Sequence, residues 1–354
     1  MNTLDTRFRY GILLIIFLFL LNGCMPTIHK ELLNSGRDYF VPKAYEEKPI
    51  RGLNIGNALD APEHGLWGVK IRPEYFSVIK QAGFNTVRLP VRFSAHTGNE
   101  SPYKIDAKFF SEVNDLVDHA LDNGLVVILD LHHFDEVMEY PVKYEEKLLS
   151  IWDQISREYA SYPDSLYFEI LNEPSGEQNT DNWNYLAGRV ISVVRKNDAH
   201  RKIIIDSVEF SNISTIPALS LPADDNLIVS FHFYEPFEFT HQGADWVDGS
   251  NRWLGKKWKG TKEEKELIED RLDRVAEWSI RNRIPVLMGE FGTIEQADRA
   301  SRIRWTEFLA RETEKRQIGW VYWQFCSNFA LYSCDQGDWD EALLGALIPV
   351  NASK

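Results

Sequence analysis

The chain has 354 residues, 44% of them hydrophobic and 26% charged, a composition that supports a buried core and excludes a disordered or fibrous polymer. Its formal net charge of -14 excludes nucleic-acid binding, because phosphate recognition relies on Lys and Arg to release counterions. Aromatic residues make up 13% of the chain, with 11 Trp, which serve either core packing or flat surfaces for an uncharged ligand.

At the N-terminus, Arg7 and Arg9 precede an uncharged apolar run, GILLIIFLFLL, over residues 11–21. It is shorter than the ~20 residues of a spanning helix and matches a secretory apolar region of ~7 to 15. The run closes on Leu21-Asn22-Gly23-Cys24, which resembles the bacterial lipoprotein signal, where cleavage precedes a lipidated Cys. The expectation is a signal peptide over residues 1–23, a lipidated Cys24 opening a polar tether over 24–47, and one folded domain over 48–350, held at the outer membrane or cell surface. An ordinary signal peptide or anchor that happens to contain a Cys is the alternative.

Past the tether, short apolar runs alternate with helical stretches. Strands are predicted at 52–55, 86–89, 126–131, 166–171, 203–205, 227–233, 286–288 and 320–325, and helical spacing marks 109–121 and 265–280. Near-continuous apolar strands, each followed by a helix, require a parallel sheet covered by helices. Eight such units over about 300 residues suit a closed barrel, given the ~250 residues typical of that fold. The predicted fold is therefore α/β, a single-domain (β/α)8 TIM barrel. Cys326 and Cys334 either pair, as an exported protein allows, or remain buried thiols.

In such a barrel the site lies at the C-terminal ends of the strands. There the sequence places Asn54, Asn57 and Asp60 after the first strand, Arg88 at the second, and Asp130-Leu131-His132-His133 at the third. Asn172-Glu173-Pro174 follows the fourth, His232-Phe233-Tyr234 the sixth and Gly289-Glu290-Phe291-Gly292 the seventh, and the eighth carries Tyr322-Trp323-Gln324. Strands four and seven stand across the ring from each other, so Glu173 and Glu290 can face one another. Paired carboxylates in that relation suit glycoside hydrolysis, one protonating the leaving oxygen and the other attacking the anomeric carbon or activating water. Arg88 and Tyr234 would hold Glu290 ionised, and His232 would partner Glu173. Asn172 would bond the sugar 2-OH, and Trp323 would offer a flat face under the ring.

The ordered set RGLNIGNALDAP, VRLPVRF, LDLHHF, FEILNEP, HFYEPFEFTHQGADW, MGEFG, YWQF and LLGALIP resembles glycoside hydrolase family 5, the retaining endo-β-1,4-glucanases and mannanases of the clan with catalytic glutamates on strands four and seven. The long HFYEPFEFTHQGADW segment looks like the subgroup acting on both glucan and mannan. The resemblance implies Glu173 as acid/base and Glu290 as nucleophile, with Arg88, His132, Asn172, His232, Tyr234 and Trp323 completing the shared set. It places His133, Asn57, Asp60, His241 and Trp246 as further sugar contacts. It also implies endo cleavage of a β-glycan polysaccharide or oligosaccharide by double displacement. The further expectations are no cofactor or metal, a monomer, and membrane contact through the N-terminal lipid at Cys24. Two departures stand out. Phe210 occupies a position where relatives often place Trp as a sugar platform, and Ser327-Asn328-Phe329-Ala330 replaces a Gly-rich turn.

Three other readings compete. A mannan specialist differs from a glucanase only in loop geometry near the sugar C2. A non-catalytic glycan-binding surface lipoprotein explains the anchor and Trp246, Trp253 and Trp258, but has no use for two glutamates. A metal-dependent barrel hydrolase would use His132 and His133; as neighbours on a strand they should point to opposite faces and fail to chelate one ion.

Overall fold

The computed structural model describes residues 49–349, so the leader, Cys24, the tether and residue 350 lie outside the described residues. Eight parallel strands form a closed barrel: β1 (Arg51–Asn54), β2 (Thr86–Val91), β3 (Val126–Leu131), β4 (Leu166–Glu169), β5 (Ile203–Asp206), β6 (Leu227–Phe233), β7 (Val286–Phe291) and β8 (Gly319–Tyr322), with β8 returning to pair with β1. The principal outer helices are α1 (Glu74–Gln81), α2 (Ala107–Asp122), α3 (Pro141–Glu158), α4 (Thr180–Asn197), α5 (Lys262–Asn282), α6 (Arg299–Lys315) and α7 (Glu341–Leu347). Several begin on side-chain caps. Asp106 accepts from the Phe109 amide ahead of α2, and Thr261 and Glu264 form a reciprocal capping box at the start of α5.

The expectation of a helix after every strand fails at β5. Only a four-residue turn, Val208–Ser211, and a 3-10 turn, Ile213–Ala218, follow it; Pro217 lies within the second and lacks the N–H that a longer helix needs. Six strands end elsewhere than expected, three of them at the loops that carry Glu173, Glu290 and Trp323. β4 stops at Glu169 and β8 at Tyr322, short of 171 and 325, whereas β7 runs on to Phe291. β4 leaves the ladder where the chain turns, with Glu173 at φ 50°.

Period-two alternation sorts the strand residues into layers. Val87, Leu89, Val127, Leu129, Leu131, Phe168 and Ile205 face the helices and join the main core. The opposite parity fills the barrel. Its apolar floor is Ile50, Ile128, Tyr167, Ile204, Ile228, Leu287 and Val321. Two residues farther along the same strands, the filling turns polar with Asp130, Glu169, Asp206 and Ser230, all fully buried.

Trp152, Trp183, Trp258, Trp305 and Trp320 are fully buried, so Trp258 belongs to the core and not to a glycan-binding face. Two of them brace the strand ends. Trp152 of α3 donates its indole N–H to the Ile170 carbonyl at 2.9 Å, and Trp183 of α4 donates to the Asp206 carbonyl at 2.8 Å. Each satisfies a carbonyl just where its strand stops, which fixes the height at which the following loop departs.

After β8 a small antiparallel pair, β9 (Tyr332–Ser333) with β10 (Asp338–Trp339), folds over the rim. Cys326, ahead of this pair, and Cys334, directly after β9, are disulfide-bonded, with Cα atoms 5.9 Å apart, which settles the pairing left open by the sequence. Ser327, where a Gly-rich turn is usual, carries φ 71°, a conformation that favours Gly.

Candidate active site

Arg88 is the hub of the barrel mouth. Its guanidinium is fully buried on β2, and all its nitrogens are engaged. Nε and Nη2 donate to the two oxygens of Glu169 at 2.7 Å each, Nη1 to Asn54 Oδ1 at 3.0 Å and to Glu290 Oε1 at 2.7 Å, and Nη2 to Asn172 Oδ1 at 2.7 Å. Asp130 lies 3.0 Å from Nη2. A planar fork can bind one carboxylate with two teeth and orient others at its edges, which a Lys cannot do.

Glu290 is 5% exposed. Its Oε1 accepts from Arg88 and its Oε2 from the Tyr234 hydroxyl at 2.9 Å. Burial pushes its carboxyl above the ordinary range, and His232, Arg88 and the Tyr234 hydroxyl pull it back. The register explains its placement. Between β6 and β7 the pairing shifts after Phe231, so His232 pairs with Glu290, the extra residue being Gly289. A Cβ on Gly289 would sit 2.6 Å from Ser230 Oγ and 3.2 Å from His232 Nε2, so only glycine fits this bulge.

Glu173 lies four residues beyond β4, on the turn after Asn172, with its side chain 30% exposed. His232 Nδ1 stands 2.7 Å from Glu173 Oε1 and 3.6 Å from Glu290 Oε2. One oxygen of each glutamate and one nitrogen of His232 all lie within 4.8 Å of one another. Burial disfavours the imidazolium of His232, but Glu290, Asp206 and Glu173 outweigh it and raise the ring to about 9.

The remaining residues of the predicted set ring this centre. Trp323 lies parallel to His132, with centroids 5.7 Å apart and planes at 6°, and the loop after β1 backs it closely: a Cβ on Gly56 would meet the indole at 2.5 Å. His132 Nδ1 is paired with Asp130 at 2.6 Å, and burial holds the ring well below its usual pKa, reinforced by His133, Arg88 and His232. Asn57 accepts from Gln324 Nε2 at 2.7 Å, and Asp60 accepts the Asn57 and Ala58 amides at 2.9 and 2.6 Å. His241 packs edge-on to Tyr234 and is stacked by Phe237; burial lowers it to about 4. Trp246, 54% exposed, extends the same wall beyond His241.

The opposite facing expected of His132 and His133 does not hold. His132 and His133 lie beyond the last residue of β3, where strand alternation no longer separates them. Their centroids are 4.5 Å apart, and with Asp60 they could present ligand atoms within 4.8 Å of one another. The ligand geometry alone therefore does not exclude a cation.

Glu169 and Asp206 were missed. Burial raises Glu169 to about 7 against the pull of Arg88. Asp206 Oδ2 accepts the Glu173 amide at 3.0 Å and the Ser211 hydroxyl at 2.6 Å. The signal was present: each is an acid two residues after a floor residue, Tyr167 and Ile204, in an otherwise apolar run. Trp67, edge-on to His133 at 5.7 Å, was also missed, and nothing in its local sequence marks it. Beyond Asp206 the chain takes three successive left-handed residues, Glu209, Phe210 and Ser211, at φ 57°, 62° and 55°. Each costs roughly 1–2 kcal/mol without glycine, a strain that persists only where surrounding contacts over-determine it. Phe210 is 66% exposed on this turn, and its amide donates to the Pro174 carbonyl at 3.3 Å.

The model of the cellulase family, glycosyl hydrolase family 5, matches residues 45–329. Endoglucanase H of Acetivibrio thermocellus is 34% identical over 302 residues, covering 84% of this chain and 32% of that protein, so this chain spans about a third of that relative's length. Endoglucanase B of Clostridium cellulovorans is 30% identical over 309 residues, covering 81% of this chain and 68% of that protein. Structures of Thermotoga maritima Cel5A in complex with cellobiose (TM-score 0.84, 44% identity, 88% of this chain and 100% of that chain) and with mannotriose (0.83, 43%, 88% and 98%) superpose on the barrel. With a family match over most of its length and relatives of this similarity, the chain belongs to glycosyl hydrolase family 5.

Proposed function

We propose that the protein is an endo-acting β-1,4-glucanase that works by double displacement, with Glu290 as nucleophile and Glu173 as acid/base. The observation that carries this reading is the spacing of the pair: carboxylate oxygens within 4.8 Å of each other across His232. Retaining enzymes hold their carboxyls about 5–5.5 Å apart, and inverting ones keep roughly 6.5–9.5 Å for an intervening water. Glu290 attacks the anomeric carbon as the glycosidic C–O bond breaks, and Glu173 delivers its proton to the leaving oxygen. Water then attacks the glycosyl-enzyme, giving its proton to Glu173 and freeing Glu290.

The substrate class is supported by the same site. Asn172, its Oδ1 held by Arg88, keeps its amide N–H groups free for a sugar hydroxyl, and Trp323 supplies the flat face. Thermotoga maritima Cel5A binds both cellobiose and mannotriose, which supports glucan and glucomannan as substrates here, with a mannan specialist as the second reading. Glu290→Gln is expected to abolish sugar release from barley glucan and glucomannan, and wild-type products are expected to emerge as the β-anomer by NMR. Unchanged release, or inverted product, overturns the reading; turnover of galactomannan far above that of barley glucan favours the mannan specialist.

We further infer export and lipidation at Cys24, on the strength of Arg7, Arg9, the 11-residue apolar run and Gly23-Cys24. No helix among the described residues is long and apolar enough to cross a membrane, so attachment would rest on the lipid. Cys24→Ser is expected to shift the protein from the detergent phase to the aqueous phase on Triton X-114 partitioning. An unaltered partition contradicts lipidation.

A further inference from the structure

We propose that Asp206, buttressed by the left-handed turn at residues 209–211, is a positioning residue that keeps the catalytic proton on the His232–Glu173 pair until the leaving oxygen takes it. The proposal rests on the double-displacement reading and assigns a role to a strand end that this reading does not use.

The geometry is a line of three groups. Asp206 Oδ2 lies 3.6 Å from His232 Nε2, and His232 Nδ1 lies 2.7 Å from Glu173 Oε1. At 3.6 Å the Asp206 contact acts through charge and is not a hydrogen bond, Nε2 being buried without a hydrogen-bond partner; a carboxylate that close favours the imidazolium, whose Nδ1–H donates to Glu173. His232 stays a cation throughout, and the catalytic proton is a second one, carried on the Glu173 carboxyl whose Oε1 accepts the Nδ1–H. When the glycosidic bond breaks, Glu173 loses its proton to the leaving oxygen and becomes a carboxylate. The His232 N–H then donates to that carboxylate until attacking water returns a proton to Glu173.

Asp206 also fixes Glu173 mechanically. The same Oδ2 accepts the Glu173 amide and the Ser211 hydroxyl, and the Phe210 amide holds the Pro174 carbonyl. The acid/base turn is thereby gripped on both sides of Glu173 by the segment after β5, whose backbone strain shows that the position is maintained against a local preference. The charged and titratable groups facing His232 are Arg88 from β2, His132 beyond β3, Glu169 and Glu173 from and beyond β4, Asp206 from β5, Tyr234 after β6 and Glu290 from β7. The carboxylates hold the proton, and Arg88 opposes them.

A negative charge retains protons on its neighbours, so neutralising Asp206 lets the pair deprotonate at lower pH. In Asp206→Asn, folded as judged by circular dichroism and melting, the basic limb of kcat/KM on barley glucan is expected to move down by about one pH unit or more, with kcat falling about tenfold or more. Asp206→Glu, which keeps the charge but displaces it, is expected to lose kcat while retaining the wild-type basic limb. Folded Asp206→Asn with its limb unmoved overturns the proposal, and wild-type enzyme without sugar release overturns the underlying reading instead. Should Asp206→Asn fail to fold, Asp206→Ser is measured in its place: the same downward move of the basic limb is expected, and a folded variant with its limb unmoved overturns the proposal.

Discussion

Arg88 shows how one residue type can be irreplaceable without touching the bond that breaks. Its fork holds Glu169 with two teeth while single N–H groups orient Asn54, Asn172 and Glu290. A Lys in its place has the charge and one point of attachment, so at least one buried carboxylate is left unpaired. Arg88→Lys is expected to destabilise the fold by about 3–5 kcal/mol in urea unfolding, the usual cost of breaking a buried pair. It is also expected to lower kcat/KM about a hundredfold or more, as for the loss of a preorganised donor. Stability and turnover both within twofold of wild type would show that a point charge suffices. Tyr234 contributes on the other side of Glu290, and its own hydroxyl is held protonated well above the usual range, first by burial and then by the charges of Glu290 and Glu173, so it remains a donor wherever the enzyme works.

At the scale of elements, the strands were legible because each is a short apolar run between polar turns, and Glu173, Glu290, Arg88, His232 and Tyr234 were legible because each follows or closes such a run. Glu169 and Asp206 hid inside or at the end of runs read as uniformly hydrophobic. Their parity with the floor residues Tyr167 and Ile204 becomes readable only once the inward face of each strand is known. The bulge at Gly289 could not be read at all, because it is a relation between two strands: β6 and β7 slip by one residue, and the slip brings Glu290 beside His232. The segment after β5 was misread for a local reason, since an expectation of one helix per strand overrode Pro217 and the capping Asn212 in the sequence itself. The disulfide was undecidable for a related reason: eight residues of separation are compatible with a Cα distance of 5.9 Å or with a far longer one, and the fold of β9 and β10 chooses.

On the scale of the molecule, the helices and the apolar floor leave the polar chemistry at one end of the barrel, and that end is heavily acidic. Asp130, Glu169, Glu173, Asp206 and Glu290 surround one guanidinium and one imidazole, within a chain whose formal charge is -14. Burial raises the Glu169 carboxyl to about 7, and Arg88 and His232 offset part of the remaining charge, so the negative potential that an approaching polymer meets is that of the whole chain, focused by the low-dielectric walls of the mouth. Selection can therefore operate before any sugar hydroxyl is recognised, by exclusion of polymers that bear their own anions. Carboxymethylated cellulose should enter against this field and neutral barley glucan should not feel it. The ratio of kcat/KM for the charged polymer to that for the neutral one is then expected to climb as added salt shortens the screening length from about 30 Å at 0.01 M to about 10 Å at 0.1 M, whereas a ratio indifferent to salt would mean that the acids at the barrel mouth act only on each other.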